Sequence, residues 1–269
     1  MASSKREKEL ARMRAERQAA RRAAAAARRR QRNLIIASVV GVALVALGAI
    51  ILARHFSGGS TNALASKGKD KSPSASPTKS LPPGTCDYVP SKTAASRKVD
   101  LPPTTGVETK QAFTAHLRTN LGVIDINLNS AAAPCAANSF RSLAHFKYFD
   151  NTACHRLTTQ GIFVLQCGDP TGIGTGGPGY TFADENLKGA TYPKGTVAMA
   201  NSGPGTNGSQ FFLVYKDTQL DPNYTPFGTI TKGLDIINKV AAAGAVPAGD
   251  GKPKLSINIL GVRIEPAKA

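Results

Sequence analysis

The chain of 269 residues is poor in the groups on which many enzyme chemistries rest. Its four histidines, His55, His116, His145 and His155, show no metal-ligand spacing with one another or with the four cysteines. No metal site and no cofactor is therefore expected. There is no G-x-S-x-G, and no Cys-His pair makes a persuasive nucleophile. A formal G-x-G-x-x-G runs through Gly174, Gly176 and Gly179, but Pro178 and the following Tyr180-Thr181-Phe182 do not begin a helix, which argues against a dinucleotide site. Internal repeats are absent. Acidic residues are scarce, 17 against 34 Lys and Arg, and a net charge of +17 would ordinarily point to nucleic acid.

The distribution of that charge argues against nucleic acid and for a membrane. Residues 1–33 hold twelve Lys and Arg against three Asp and Glu, about half of the excess in an eighth of the chain. From residue 3 onward this segment has no Gly or Pro, so it is expected to be helical where its surroundings allow. It has no wide apolar stripe, and its arginines are suited to anionic lipid headgroups. Residues 34–53 then carry no charge and are rich in Leu, Ile, Val and Ala. Such a helix reaches roughly 30 Å, the thickness of the bilayer hydrocarbon. Its basic flank predicts a single-pass anchor with a cytoplasmic N-terminus. A cleaved signal peptide fits less well, because the leading segment is long and no small-x-small site precedes Arg54.

Residues 54–105 are rich in Ser, Gly, Lys and Pro and read as a flexible linker. Within it Cys86-Asp87-Tyr88-Val89 is less repetitive and able to pack on the domain that follows. All four cysteines, Cys86, Cys135, Cys154 and Cys167, come after the anchor, in a compartment where disulfides persist. Four cysteines allow three pairings, and free buried thiols are the alternative.

Residues 106–269 suit one closed β domain. Residues 113–118 and 123–128 alternate about a turn at 119–122, the pattern of a hairpin. Pro134 can open a helix whose Ala136, Phe140, Leu143 and Ala144 share one face. Leu234, Ile237 and Val240 suggest a second. Residues 197–200, 211–215, 227–230 and 255–262 are expected strands. Many short strands with Gly/Pro turns and two helices predict a barrel or sandwich.

The densest motif is Met199-Ala-Asn-Ser-Gly-Pro-Gly-Thr-Asn-Gly-Ser-Gln-Phe-Phe212, a turn-forming loop running into a strand. Gln210 and Phe212 share one strand face, so together they can line a half-polar, half-apolar pocket. This run resembles the cyclophilins, a family of peptidyl-prolyl cis-trans isomerases. The resemblance extends to His155-Arg156, Phe163, Gln166-Cys-Gly-Asp169, Gly174-Thr-Gly-Gly177, Asp184-Glu-Asn186 and Phe227-Gly228, in the family's order over about 150 residues. With the anchor, it suggests the family's membrane-anchored bacterial form.

The resemblance implies a mainly β fold, a closed eight-stranded antiparallel barrel capped by two helices. It also implies that Cys154 and Cys167 face each other on neighbouring strands, with Cys86 and Cys135 as the second pair, pinning the tether to the first helix. Arg156 matches the family's catalytic arginine. Phe163, Val164, Phe212 and Leu220 would form the proline pocket, and Gln166 and Gln210 would bond the substrate backbone or orient Arg156. The main chain of Asn201, beside Ala200, would hold the residue before proline. His155 is expected as a structural hydrogen-bonder, not a base.

The chain departs from the pattern in three places. Tryptophan is absent, and Gln219 stands where many relatives have an aromatic. Tyr224 replaces a common histidine while keeping a flat ring with a polar tip. Both changes make tight cyclosporin binding doubtful. Residues 157–162 are about two longer than usual. The expected partners are proline-containing clients outside the membrane, and membrane lipid around residues 34–53. The alternatives are a non-enzymatic module for proline segments and a membrane-tethered scaffold.

Overall fold

The structure, a computed structural model, describes residues 81–267. The basic segment 1–33, the expected span 34–53 and the linker up to residue 80 lie outside the described residues. Among the described residues no helix is long and apolar enough to cross a membrane. In chain order the elements begin with β1 (Val89–Pro90), β2 (Phe113–Thr119), β3 (Gly122–Leu128) and helix α1 (Pro134–His145). There follow β4 (Thr152–Ala153), β5 (Arg156–Thr158), β6 (Val164–Cys167), β7 (Tyr180–Thr181), β8 (Thr196–Met199), β9 (Phe211–Val214) and β10 (Pro226–Lys232). Helix α2 (Leu234–Ala243), β11 (Ala245–Val246), β12 (Asp250–Pro253) and β13 (Asn258–Pro266) complete the domain.

The expected hairpin forms between β2 and β3, in register from Phe113 opposite Leu128 to Thr119 opposite Gly122. Alternation sends Phe113, Ala115, Leu117, Ile124, Ile126 and Leu128 into the core. From this hairpin an antiparallel ladder extends both ways, in the order β11-β12-β5-β6-β9-β8-β10-β3-β2-β13-β4, and β1 pairs separately with β7. Register shifts interrupt β10 against both neighbours and β13 against β2. Such irregularities bend strands, and they suit the curl of this sheet. The domain is thus mainly β, as expected. Among the described residues the ladder of main-chain hydrogen bonds has two ends, at β11 and β4.

Both expected helices are present. Pro134 begins α1, and Ala136, Phe140, Leu143 and Ala144 are buried on its inner face. The Phe140 ring stacks on Phe149 at 4.9 Å and meets the edge of Phe211 at 5.3 Å, which ties α1 to β9. Ala133 cannot cap α1 with a side chain; instead the Glu185 carboxylate accepts the Cys135 and Ala136 N–H groups at 3.0 and 2.8 Å. In α2, Ile237 and Val240 are buried and Leu234 partly so.

Composition places residues 81–105 in the flexible tether, but they are packed on the domain. Tyr88 is buried edge-on against Tyr180 and Phe182, and its hydroxyl donates to the Cys135 carbonyl at 2.9 Å. Arg97 Nη1 donates to the carbonyls of Lys147, Tyr148 and Asp150. Ser96 binds Gly177 through N–H to carbonyl at 2.8 Å and Gly177 N–H to hydroxyl at 3.0 Å. Buried aromatics and main-chain bonding hold this Ser/Pro-rich arm, and neither is visible in its composition.

The structure contains the disulfides Cys86–Cys135 and Cys154–Cys167, and no described cysteine is free. The first joins residues 49 apart, so loop-closure entropy alone makes it worth about 4 kcal/mol. Replacing Cys86 and Cys135 together by Ser is expected to lower the unfolding free energy, read from urea titration, by that order. A midpoint shift equivalent to less than about 1 kcal/mol would show that the noncovalent contacts of the arm suffice.

Candidate active site

Four neighbouring strands set out the site in one cross-strand row. Arg156 on β5 lies opposite Gln166 on β6, Gln166 opposite Phe212 on β9, and Phe212 opposite Ala198 on β8. Directly opposed residues on antiparallel strands present their side chains on one face, about 5 Å apart. The row therefore passes from a guanidinium through an amide to an aromatic ring. Gln210, two residues before Phe212, adds a second amide beside the first.

These polar groups form a continuous hydrogen-bonded relay. Arg156 Nη1 donates to Gln166 Oε1 at 3.3 Å, and Gln166 Nε2 donates to Gln210 Oε1 at 2.8 Å. Gln210 Nε2 then donates to the carbonyls of Gly174 and Gly176 at 3.0 and 2.9 Å. Each glutamine thus accepts from one neighbour and donates to the next. The glycine loop is held by buried Asp169, whose Oδ2 accepts the N–H groups of Gly174 and Gly176 at 2.7 and 3.1 Å. Burial pushes the Asp169 pKa up, but these bonds and those from Thr171 outweigh it, leaving the pKa below its ordinary value. At the other end, Arg156 Nε and Nη2 donate to the two oxygens of Asp250 on β12, each at 2.7 Å. These bonds raise the Arg156 pKa, and the same pair lowers that of Asp250.

Gly168 marks the turn out of β6 toward the glycine loop. Its φ is +90°, and a Cβ there would lie 2.3 Å from the Ser209 carbonyl oxygen. No side chain fits that approach.

The apolar side of the row is a small cluster separate from the main core. Val164, Tyr192, Ala198, Phe212 and Val214 are buried in it, and Ile162, Ala200, Leu220 and Tyr224 pack around them. The Tyr224 ring meets Phe212 edge-on at 5.5 Å. Tyr192 fixes the Tyr224 backbone, accepting its N–H at 3.0 Å and donating to its carbonyl at 2.8 Å. Beside the cluster Asn201 leaves its strand, with its amide donating to Asp184 Oδ1 at 3.3 Å and to the Asn223 carbonyl at 2.8 Å. Asp184 also accepts from Asn207 and Gly205, so this one carboxylate holds the loop between β8 and β9.

Arg156, Val164, Gln166, Ala200, Asn201, Gln210, Phe212, Leu220 and Tyr224 are thus brought to one site. Phe163 is not. It packs against the main core, its ring 6.0 Å from Tyr215 and under Lys216 Nζ at 4.4 Å. The reason is strand alternation: Gln166 and Val164 face the site, so Phe163 and Leu165 face away. Ile162 takes the expected place of Phe163, and counting back in twos from Gln166 would have found it. Asp250 was not anticipated, since nothing local links it to an arginine 94 positions earlier. His155 also differs from expectation, because both ring nitrogens are buried without a hydrogen-bond partner among the described residues. Burial, with the Arg156 charge, lowers its pKa despite the opposing effect of Asp169, and its ring lies against Gly174.

Residues 114–264 match the family model for cyclophilin type peptidyl-prolyl cis-trans isomerase/CLD. The chain is 48% identical over 196 residues to the probable peptidyl-prolyl cis-trans isomerase B of Mycobacterium leprae (strain TN), covering 67% of this chain and 66% of that protein. It is 46% identical to the protein of the same description from Mycobacterium tuberculosis (strain ATCC 25618 / H37Rv), covering 67% and 64%. The chain therefore spans slightly less than two thirds of the length of these curated relatives. Among solved structures, a cyclophilin type peptidyl-prolyl cis-trans isomerase of Cryptosporidium parvum superposes with a TM-score of 0.53 at 32% identity, over 58% of this chain and 99% of that one. A second structure of it, in the presence of the dipeptide Ala-Pro, gives a TM-score of 0.52 at 32% identity, over 57% and 99%. With the family model matched across more than half of the chain and the polar and apolar walls on adjoining strands, this protein belongs to the cyclophilin-type peptidyl-prolyl cis-trans isomerase family.

Proposed function

We propose that the site accelerates rotation about X-Pro bonds in polypeptides, with Arg156 as the donor to the twisted amide. One observation carries this: a guanidinium held by both Asp250 and Gln166 stands at the rim of an apolar cluster built on Phe212. Amide resonance sets a barrier of about 18–20 kcal/mol to this rotation. A 10⁵-fold acceleration requires about 7 kcal/mol of differential stabilisation and no nucleophile. As the bond twists, the prolyl nitrogen gains a lone pair, so a donor aimed there favours the transition state over the planar ground state.

Arg156 retains what that role needs. Of its five N–H bonds, three are spent on Asp250 and Gln166, which leaves two for a substrate. The proline ring would enter among Ile162, Val164, Phe212 and Leu220, out of water, with Tyr224 at the rim. The main chain of Asn201, next to Ala200, would hold the preceding residue while the bond turns. Support for a proline-containing ligand comes from the Ala-Pro dipeptide used with the Cryptosporidium parvum relative.

The proposed setting is outside a membrane, with residues 34–53 as a retained anchor, residues 1–33 on the cytoplasmic side, and exported proteins as clients. Support comes from the uncharged apolar run behind a basic segment and from two disulfides, which suit an oxidising compartment. Exposed Gln219 supplies no aromatic wall near Leu220, consistent with weak cyclosporin binding.

In a coupled assay on a proline tetrapeptide, Arg156→Ala is expected to lower kcat/KM by about 10²–10³-fold, the cost of removing one such donor. Equal rates at background from wild type and variant would refute the enzymatic role. In the same assay Ile162→Ala is expected to raise KM severalfold, whereas Phe163→Ala lowers thermal stability and leaves KM within about twofold. A larger KM change for Phe163→Ala than for Ile162→Ala would return Phe163 to the pocket.

A further inference from the structure

We infer that Asp250 is the positioning residue of the catalytic arginine, setting the plane of the Arg156 guanidinium so that its two remaining N–H bonds meet the substrate. This inference rests on the isomerase function proposed above. Arg156 is the first residue of β5 and about two-fifths exposed, so packing alone does not fix its long side chain. An unrestrained arginine side chain loses rotamer entropy when it is ordered. Gln166 offers one bond, at 3.3 Å, a single point of attachment that leaves the guanidinium free to turn about it. Asp250 offers two at 2.7 Å, one to Nε and one to Nη2, the planar fork that carboxylates match.

The backbone puts Asp250 there. On the β5–β12 pair Asp250 lies opposite Thr158, and Gly251 lies opposite Leu157. Arg156, two residues from Thr158 on the same face, is the diagonal neighbour of Asp250, within reach of long side chains. The hairpin of β11 and β12 closes tightly at this point. A Cβ on Gly251 would lie 2.3 Å from the Val246 carbonyl carbon, so only glycine allows the two strands to approach. The position of Asp250 is therefore set by main-chain pairing and not by its bond to Arg156.

Stability does not account for the pair. Both side chains are well exposed, and exposed ion pairs contribute little to folding. What the fork does supply is geometry at a group whose direction matters to the reaction.

The test is a double-mutant cycle in the full chain, read as kcat and KM on an uncharged proline tetrapeptide. Asp250→Asn keeps the shape but gives the fork one acceptor and one donor, so kcat is expected to fall about tenfold with KM within twofold. Asp250→Glu, which retains both acceptors, is expected to recover at least a third of the wild-type kcat. In the Arg156→Ala background, Asp250→Asn should have no further effect, because its partner is gone. An unchanged or raised kcat in Asp250→Asn overturns the inference, as does an equal loss in both backgrounds. If Asp250→Asn fails to fold, the decision passes to Asp250→Glu. Wild-type-like folding with a rate as low as that of Arg156→Ala would then overturn it. Absence of any wild-type rate above background would instead refute the isomerase function itself, so the two failures are distinct.

Discussion

The pairing of β6 with β9 is the contact on which the site depends. Gln166 lies opposite Phe212, and Val164 opposite Val214. Across β6, β8 and β9 the even-numbered residues Val164, Ala198, Phe212 and Val214 form the pocket cluster. The odd-numbered Leu165, Cys167, Val197, Met199, Phe211 and Leu213 belong to the main core. Each of these strands is therefore covered on both faces, by the core on one and by the site on the other. That is why they read in sequence as unbroken apolar runs and not as alternating ones. A slip of one residue between β6 and β9 would exchange core for pocket along the strand. It would also move Gln166 away from both Arg156 and Gln210.

A second layer of polar groups keeps that register productive. Asp169 orders the glycine loop, the carbonyls of that loop hold Gln210, and Gln210 holds Gln166. Asp184 performs the equivalent task for the loop after β8, while its neighbour Glu185 caps α1. Two adjacent acidic residues thus fasten the substrate-side loop and the main helix to one short segment. The buried carboxylate of Asp169 and the amides of Gln166 and Gln210 are tolerable here because each meets partners, whereas the buried Asn207 Oδ1 has none among the described residues; an unmet buried polar group costs about 1–3 kcal/mol.

Much of this arrangement was legible in the residues. The run from Met199 to Phe212 declared a loop feeding a strand, and the positions Ala136, Phe140, Leu143 and Ala144 declared a helix face. Local spacing suffices for both, because they are local structures. Phe163 was misassigned for a local reason as well. The connection after Arg156, read as about two residues longer than usual, contains a tight turn in which Ile162 N–H donates to the Gln160 carbonyl at 2.8 Å. Parity counted from Gln166 survives that insertion, whereas distance counted from Arg156 does not. In the arm at residues 81–105 the packing of Cys86–Val89 and the Cys86–Cys135 pair were expected and are found, whereas the bonds of Ser96 and Arg97, like the partner of Asp250, were illegible. Their partners lie far along the chain, and nothing in a Ser/Pro-rich stretch or in the Asp-Gly start of a strand announces which carbonyl or guanidinium it will meet.

On the proposed function, the chemistry of a twisted amide accounts for so much structure converging on the direction of one side chain. Protein hydrolysis can draw on a nucleophile, a proton transfer and an oxyanion site, each lowering the barrier in turn. Rotation about a peptide bond offers only a growing lone pair and the lost planarity of the amide. Nearly all of the stabilisation must then come from donors already in place, since a donor that has to be ordered during the reaction gives back part of its gain in entropy. The relay from the glycine loop through two glutamines approaches the guanidinium from one side, and Asp250 approaches it from the other. On the proposed function, an exposed, flexible arginine held between them becomes a fixed charge at the edge of an apolar cluster, the form in which a single charged group is most effective against so small a change in charge.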